Sequence, residues 1–244
     1  LNNRITGSFE YFHKVVSDLL AFRKLNSLME VSTIADNIGA TQSTGYEFSL
    51  NTVNLTGPFK WNTTLNISSY NDRWKERNPD VVLAPYEKED APIRAIYGCV
   101  SDGILQIGET PPASMPDLLP GQMKVKDLNG FDPNDGSKLL GHPDGKIDAA
   151  DRIYLGSTDP KVIIGFGNMF EYKNFDLNIF FYGMFGQYVA NSNRAKYGPS
   201  GCEYILQRQN YSKEVLDRWT PDNPTNKFPS GFYSAYYGGD DWLL

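Results

Sequence analysis

The stretch that decides the fold runs from Lys161 to Tyr188 and reads KVIIGFGNMFEYKNFDLNIFFYGMFGQY. It holds two runs of alternating apolar residues, joined by Glu171-Tyr172-Lys173-Asn174. Alternate residues of a β-strand point to opposite faces, so the second run has an apolar face and a mixed polar face. The apolar positions are Phe175, Leu177, Ile179, Phe181, Gly183 and Phe185, and the opposite positions are Asp176, Asn178, Phe180, Tyr182 and Met184. A run of this length fits a tilted transmembrane strand of ~9–11 residues.

The same alternation recurs through the chain and predicts an all-β fold. We expect strands at about 4–16, 46–55, 59–70, 162–172 and 175–188, separated by two long loops at about 71–160 and 191–244. Inside these loops we expect some local pairing within Ile93–Ile107 and a short helix at Lys213–Trp219 with Ser212 as its N-cap. Tight turns thus alternate with very long connections, a pattern typical of outer-membrane barrels.

Composition narrows the class of protein. The chain has 244 residues, 40% of them apolar and 14% aromatic, with a formal net charge of −6 and a mean hydropathy of −0.44. No segment has the pattern of a membrane-spanning helix, which leaves a soluble all-β domain or part of a membrane β-barrel. The absence of a basic patch excludes nucleic acid as an expected partner. Both ends look cut, so we expect a fragment of a longer protein.

One acidic motif has the residue types of a calcium loop. Joined across residues 131–143, the sequence has the form D-x-N-x-D-G-x-I-x-x-x-D. Calcium loops place oxygen ligands at alternate positions, use a glycine for the sharp turn and end on an acidic residue. The expected ligands are Asp127, Asn129, Asp144, Lys146 through its carbonyl, Asp148 through a water, and Asp151. The insertion at residues 131–143 separates ligands that are normally contiguous. It also contains a second cluster of oxygen-bearing residues, Asp132-Pro133-Asn134-Asp135-Gly136. For each of the two clusters, the alternative is a solvated turn that binds no metal.

Other reactive groups are sparse, and no enzymatic site is expected. The two histidines, His13 and His142, lie far apart, and no Cys/His cluster has zinc spacing. Cys99 and Cys202 both fall in predicted loops, and the sequence leaves open whether they pair. Apart from calcium, no cofactor is expected.

Several motifs together resemble the C-terminal barrel region of SusC/RagA-family TonB-dependent outer-membrane transporters. These motifs are Asn3–Phe12 with Ser17-Asp18-Leu19-Leu20, Gly45–Phe48, Phe59–Asn62, Pro120-Gly121 ahead of the acidic motif, Asp151-Arg152 with Leu155-Gly156, Tyr172–Leu177 with Gly183 and Gly186, and Arg218–Pro224. They extend over essentially the whole chain. The insertion at Phe131–Pro143 departs from the compact acidic motif of the family.

The resemblance implies part of a 22-stranded transmembrane antiparallel β-barrel in the outer membrane of a Bacteroidetes-type Gram-negative cell. The intact transporter would have an N-terminal plug, be energised by TonB and import an oligosaccharide or peptide under a SusD-like lipoprotein lid. The plug and the final strands are expected to be absent here. Outer-membrane lipid would contact the apolar strand faces, and the lumen-facing residues would be Glu47, Asn51, Asn62, Asn66, Asp176 and Asn178. The alternative is a soluble β-rich carbohydrate-binding module.

Overall fold

The structure is a computed structural model that describes residues 4–24, 33–189, 191 and 210–230. In these ranges nearly all regular structure is β, with two short 3₁₀ helices at Ala149–Asp151 and Lys213–Asp217. The second of these is the predicted helix; Ser212 holds the N-cap position but its side chain makes no capping hydrogen bond. None of the helices in the described ranges is long and apolar enough to cross a bilayer. The chain divides into two compact units.

The first unit holds a five-stranded antiparallel sheet. In the order in which they pair, its strands are β1 (Ile5–Val16), β4 (Ala40–Thr56), β5 (Phe59–Glu76), β12 (Val162–Tyr172) and β13 (Phe175–Phe185). A separate hairpin pairs β2 (Leu20–Lys24) with β3 (Thr33–Asn37). β1 and β13 are the edges of the larger sheet, so these five strands form an open segment of wall, as expected for part of a barrel.

The two central strands are longer than the sequence pattern indicates. β4 begins at Ala40 and β5 continues to Glu76, whereas alternation predicts a start near residue 46 and an end near residue 70. The extra residues pair with each other in register, for example Ser43 with Asp72. Hydrophobic alternation stops there because most side chains on both faces are polar, but the backbone ladder does not depend on side-chain polarity. β13 ends at Phe185, three residues before the expected end at 188.

The register places all tight turns at one end of the sheet. Gly57-Pro58 joins β4 to β5, and Lys173-Asn174 joins β12 to β13. The opposite end carries the connection from β1 to β4, the connection from β5 to β12, and the chain after Phe185. The sheet therefore has a short-turn end and a long-loop end.

The second unit shows that the connection predicted for residues 71–160 is largely folded. It contains β7 (Ser101–Ile104) paired with β8 (Met123–Val125), and β9 (Phe131–Asp132) paired with β10 (Asp135–Leu139). β6 (Ala95–Gly98) pairs with β11 (Ile153–Ser157). The core of the unit consists of Leu105, Met115, Leu118 and Val125, with Cys99 and Ile147 packed against it. The prolines around Met115 interrupt strand pairing without preventing this packing.

Candidate functional site

The polar strand positions converge on one face of the five-stranded sheet. Cross-strand partners share a face, and the register aligns Ser8, Ser49, Asn66, Gly165 and Tyr182 in one row across all five strands. The rows on either side of it extend the same face. This polar face includes all six residues that the sequence proposes for a lumen, Glu47, Asn51, Asn62, Asn66, Asp176 and Asn178. Their role at a lumen remains a prediction.

The opposite face of the same sheet is apolar and exposed. It carries Phe9, Phe48, Leu50, Leu65, Ile67, Ile164, Phe166, Leu177, Ile179 and Phe181, among others. Phe9 is 67% exposed, Phe175 80% and Phe181 61%. Contiguous apolar surface on this scale is characteristic of a surface that contacts lipid or protein.

Aromatic rings mark both ends of this apolar face. Near the short-turn end, Phe170 stacks between Phe59 and Trp61, with centroid distances of 6.0 and 5.8 Å. Near the long-loop end, Tyr46 contacts Phe9 and Tyr11 at 6.0 and 5.2 Å. Tyr46 pairs with Ser69 of β5, so about ten residues, or roughly 33 Å of strand, separate the two groups. At the ~40° tilt of barrel strands this corresponds to a band about 25 Å tall, which matches the apolar band between aromatic girdles of outer-membrane barrels.

The main polar side chain on the apolar face, Asn168, accepts two hydrogen bonds. The oxygen Oδ1 of Asn168 accepts hydrogen bonds from Trp61 Nε1 at 2.9 Å and Thr63 Oγ1 at 2.8 Å. Asn54 in turn donates to Thr63 Oγ1 at 2.7 Å. A buried or lipid-exposed amide without a partner is costly, so this network lets polar groups occupy the apolar face near the girdle.

A concave cavity of about 400 Å³ lies on the polar face. Its polar lining is Ser8, Glu10, Glu47, Ser49, Asn66 and Ser68, and its aromatic wall is Phe180 and Tyr182. Gly165 lines the cavity and has no side chain, and the Phe180 ring lies 3.4 Å from where a Cβ on Gly165 or Gly167 would be. The sequence pattern marks Glu47 and Asn66 individually, but only the strand register brings Glu10 beside Glu47.

The two halves of the acidic motif meet in the second unit. The insertion folds out as the β9–β10 hairpin, and at its base Leu140 N–H donates to the carbonyl of Gly130 at 2.8 Å. Gly141 N–H donates to Asn129 Oδ1 at 2.7 Å, and Gly145 N–H donates to Asp127 Oδ2 at 2.8 Å. The insertion therefore leaves the motif contiguous in space, because the two ends of a hairpin lie side by side.

The carboxylates of this acidic turn accept hydrogen bonds mainly from backbone N–H groups. Asp151 is fully buried; its Oδ1 accepts from Leu128 and Asn129, and its Oδ2 accepts from Asp148 N–H at 2.8 Å. Asp148 caps the 3₁₀ helix by accepting from Ala150 N–H at 2.7 Å. These contacts make Asp151 the anchor of the turn.

The carboxylates of the acidic turn are described by their hydrogen bonds, and nothing in the structure tests calcium binding. Across the described part of the chain, no group of three or more His, Cys, Asp or Glu side chains is arranged to hold a metal ion. Asp144 Oδ1 accepts from Lys146 N–H at 2.9 Å, which is a turn contact that needs no metal. The second cluster forms the hairpin tip, where Ser137 and Lys138 lower the pKa of the Asp135 carboxyl through hydrogen bonds. Calcium binding stays a prediction.

A loop clasp joins two distant segments of the second unit, and the sequence analysis missed its role. The segments are 103–122 and 219–230. Trp219 is buried, donates from Nε1 to Gln106 Oε1 at 2.9 Å, and lies so close to Gly121 that a Cβ there would be 2.4 Å from its ring. Asn226 Oδ1 accepts from Ile104 N–H at 3.1 Å, and Ser230 N–H donates to the Gly121 carbonyl at 2.7 Å. The motifs at Pro120-Gly121 and Arg218–Pro224 mark both segments in the sequence, but they do not show that the two segments meet.

Cys99 lies beside the core of the second unit. Burial raises the pKa of its thiol above the ordinary value, and the nearby Arg152 guanidinium partly offsets this effect. Cys202 lies outside the described residues, so pairing of the two cysteines stays open.

Comparison with known proteins identifies the family. No protein-family model matches the chain. The chain is 31% identical over 238 residues to TonB-dependent receptor P26 of Formosa agariphila and 30% identical over 246 residues to TonB-dependent receptor P3 of the same organism. It is 25% identical over 221 residues to TonB-dependent receptor SusC of Bacteroides thetaiotaomicron. These matches cover 93%, 93% and 88% of this chain but only 23%, 22% and 21% of the relatives.

The fold comparison agrees with the sequence comparison. A solved structure of the RagAB peptide transporter superposes with a TM-score of 0.69 at 16% identity, covering 99% of this chain and 25% of that one. The RagAB peptide importer in its open-open state gives the same TM-score and identity over 100% of this chain and 25% of that one. The sequence matches and the shared fold agree: the chain belongs to the TonB-dependent receptors, has SusC among its relatives, and spans about a quarter of the length of those relatives.

Proposed function

We propose that the intact protein imports an oligosaccharide or peptide across the outer membrane in a TonB-dependent manner, with a SusD-like surface lipoprotein as its partner. The observation that carries this proposal is the two-faced sheet, with polar residues on one face and an apolar band about 25 Å tall on the other. A soluble carbohydrate-binding module would have to bury this apolar band.

In this proposal the five strands are a segment of barrel wall. The apolar face contacts lipid, the polar face borders the lumen, the short-turn end is periplasmic and the long-loop end is extracellular. The long connection between β5 and β12 then belongs to the extracellular loops, where a cargo and a lipoprotein would be met.

Two neighbouring residues test the orientation of the wall. Leu65 and Asn66 are adjacent in β5 and lie on opposite faces at mid-band. In the full-length protein, Leu65→Arg is expected to destabilise the barrel by about 2–4 kcal/mol because it places a charge in lipid, while Asn66→Arg has a smaller effect. Resistance of the folded barrel to urea, in detergent or vesicles, measures both. Equal effects of the two substitutions would refute the orientation.

Transport itself is tested in cells with the intact gene. Uptake of labelled peptides and oligosaccharides should stop when TonB is deleted, and should fall when a neighbouring SusD-like gene is deleted. Uptake that continues without TonB would refute the proposed function.

Calcium at the acidic turn is a subsidiary proposal, supported by the hairpin that makes the motif contiguous. Calcium would stabilise the turn between Asp127 and Asp151 and take no part in transport chemistry. A chelator should lower the melting temperature of the full-length protein, and Asp144→Ala should abolish that difference. A melting temperature that does not respond to chelation would exclude the site.

A further inference from the structure

The cavity on the polar face combines two carboxylates with an aromatic wall. Glu10 and Glu47 are direct cross-strand partners in adjacent strands, and both line the cavity. Like charges placed directly opposite each other in a sheet are destabilising. Neither carboxylate has an ion-pair partner among the described residues, and the cavity lining contains no Lys, Arg or His.

Another carboxylate on the same face provides a contrast. Glu171 lies on the polar face close to the short-turn end, where its cross-strand partner is Lys60, and the two side chains form an ion pair at 2.8 Å. Like-charge repulsion with the neighbouring Asp176 is thereby offset. Within the part of the chain that the structure describes, the pair Glu10 and Glu47 has no such cation.

The aromatic wall adds a second type of recognition. Phe180 and Tyr182 are 63% and 62% exposed, on the polar face of a strand whose opposite face is apolar. Phe180 lies across Gly165 and Gly167, so its ring is held against the sheet. Carboxylates and aromatic faces both attract ammonium and guanidinium groups, the first by charge-assisted hydrogen bonds and the second by cation–π attraction.

We propose that this cavity binds a basic group of a peptide cargo, an ammonium or guanidinium held by Glu10 and Glu47 beside Tyr182 and Phe180. The inference rests on the proposed function and narrows it from oligosaccharide or peptide to peptides that carry positive charge. The cavity has a volume of about 400 Å³, which is in the range of small-ligand sites and accommodates one or two residues of a peptide.

The test uses the full-length transporter and a matched pair of probes. One probe is a pentapeptide with three lysines, and the other is the same peptide with every amine acetylated. Binding to the purified protein is measured by calorimetry at low salt, where electrostatic attraction is least screened. The wild type should bind the amine form about tenfold more tightly than the acetylated form.

The variants separate the cavity from the general charge of the polar face. The double substitution Glu10→Gln/Glu47→Gln should remove the preference for the amine form and leave binding of the acetylated form unchanged. Glu171→Gln, with the same change in charge per site, should retain the preference because that carboxylate already has Lys60. Tyr182→Leu should weaken binding of the amine form without any change in charge.

Other outcomes overturn the inference in distinguishable ways. If the wild type shows no preference, or if the preference survives in the double variant, the cavity does not recognise basic peptides. If the double variant instead lowers the melting temperature with no peptide present, the cavity holds a basic group of the protein itself. TonB-dependent uptake of the acetylated peptide, measured in the same variants, shows separately whether the proposed transport stands.

Discussion

Removal of Trp219 should release the loop clasp and leave the strands intact. Trp219 is 5% exposed, its indole donates to Gln106, and its ring fills the space above Gly121. Truncation of a buried tryptophan to alanine costs about 3–5 kcal/mol. Part of that cost is the lost hydrogen bond, roughly 1 kcal/mol, since the Gln106 acceptor loses its indole donor.

Hydrogen exchange in the full-length protein measures the effect at named amides. Gly121 N–H donates to the Leu105 carbonyl at 2.8 Å, and Ser230 N–H donates to the Gly121 carbonyl at 2.7 Å, so both report directly on the clasp. If local opening controls exchange, a loss of about 3–4 kcal/mol in Trp219→Ala accelerates these amides by roughly 100- to 1,000-fold. Amides of β5 and β12 should keep their protection because their ladder is independent of the clasp.

A matched substitution in the same segment supplies the control. Leu216 lies three residues away, is also a large apolar residue and is 73% exposed. Leu216→Ala should leave exchange at Gly121 and Ser230 unchanged. Unchanged exchange in Trp219→Ala, or equal acceleration in both variants, would refute the account of the clasp.

Three further predictions follow from single contacts. Gly130→Ala should disrupt the acidic turn because the new Cβ would lie 2.4 Å from the Cβ of Asp144. Gly136→Ala should be tolerated because the space around that position is open. The rate at which a protease cleaves the β9–β10 hairpin compares the two variants. Asn168→Ala should weaken the barrel against urea by about 1–3 kcal/mol because it leaves the Trp61 indole N–H without its acceptor, and a neutral result would contradict the network. In a variant that lacks Cys202, alkylation of Cys99 should be slow at neutral pH and faster only in more alkaline solution, because the raised pKa of Cys99 lowers its thiolate fraction. An alkylation rate equal to that of an exposed thiol would contradict the burial of Cys99.

The acidic turn shows where sequence reasoning reached its limit. The residue types of a calcium loop are legible in the sequence, but residues 131–143 separate its two halves. Only the β9–β10 hairpin shows that Asp127 and Gly145 are hydrogen-bonded neighbours. Asp151, expected as a metal ligand at the end of the loop, is a buried acceptor for three backbone N–H groups, a role that the spacing does not show. The spacing of residues along the chain does not show that the two halves of the turn lie side by side.

Sequence by itself determined the five strands of the large sheet, apart from some of their ends, and the two faces of that sheet. A strand repeats every two residues, so the alternation from Phe175 to Phe185 specifies a local structure and its polarity without any knowledge of neighbours. The tertiary structure alone decided which residues meet across strands and loops. Glu10 lies beside Glu47, and Trp219 lies against Gly121, because register and loop packing are set by contacts between residues about 40 and 100 positions apart. Such contacts depend on many weak interactions throughout the folded chain, and a short window of sequence does not contain both partners of a contact.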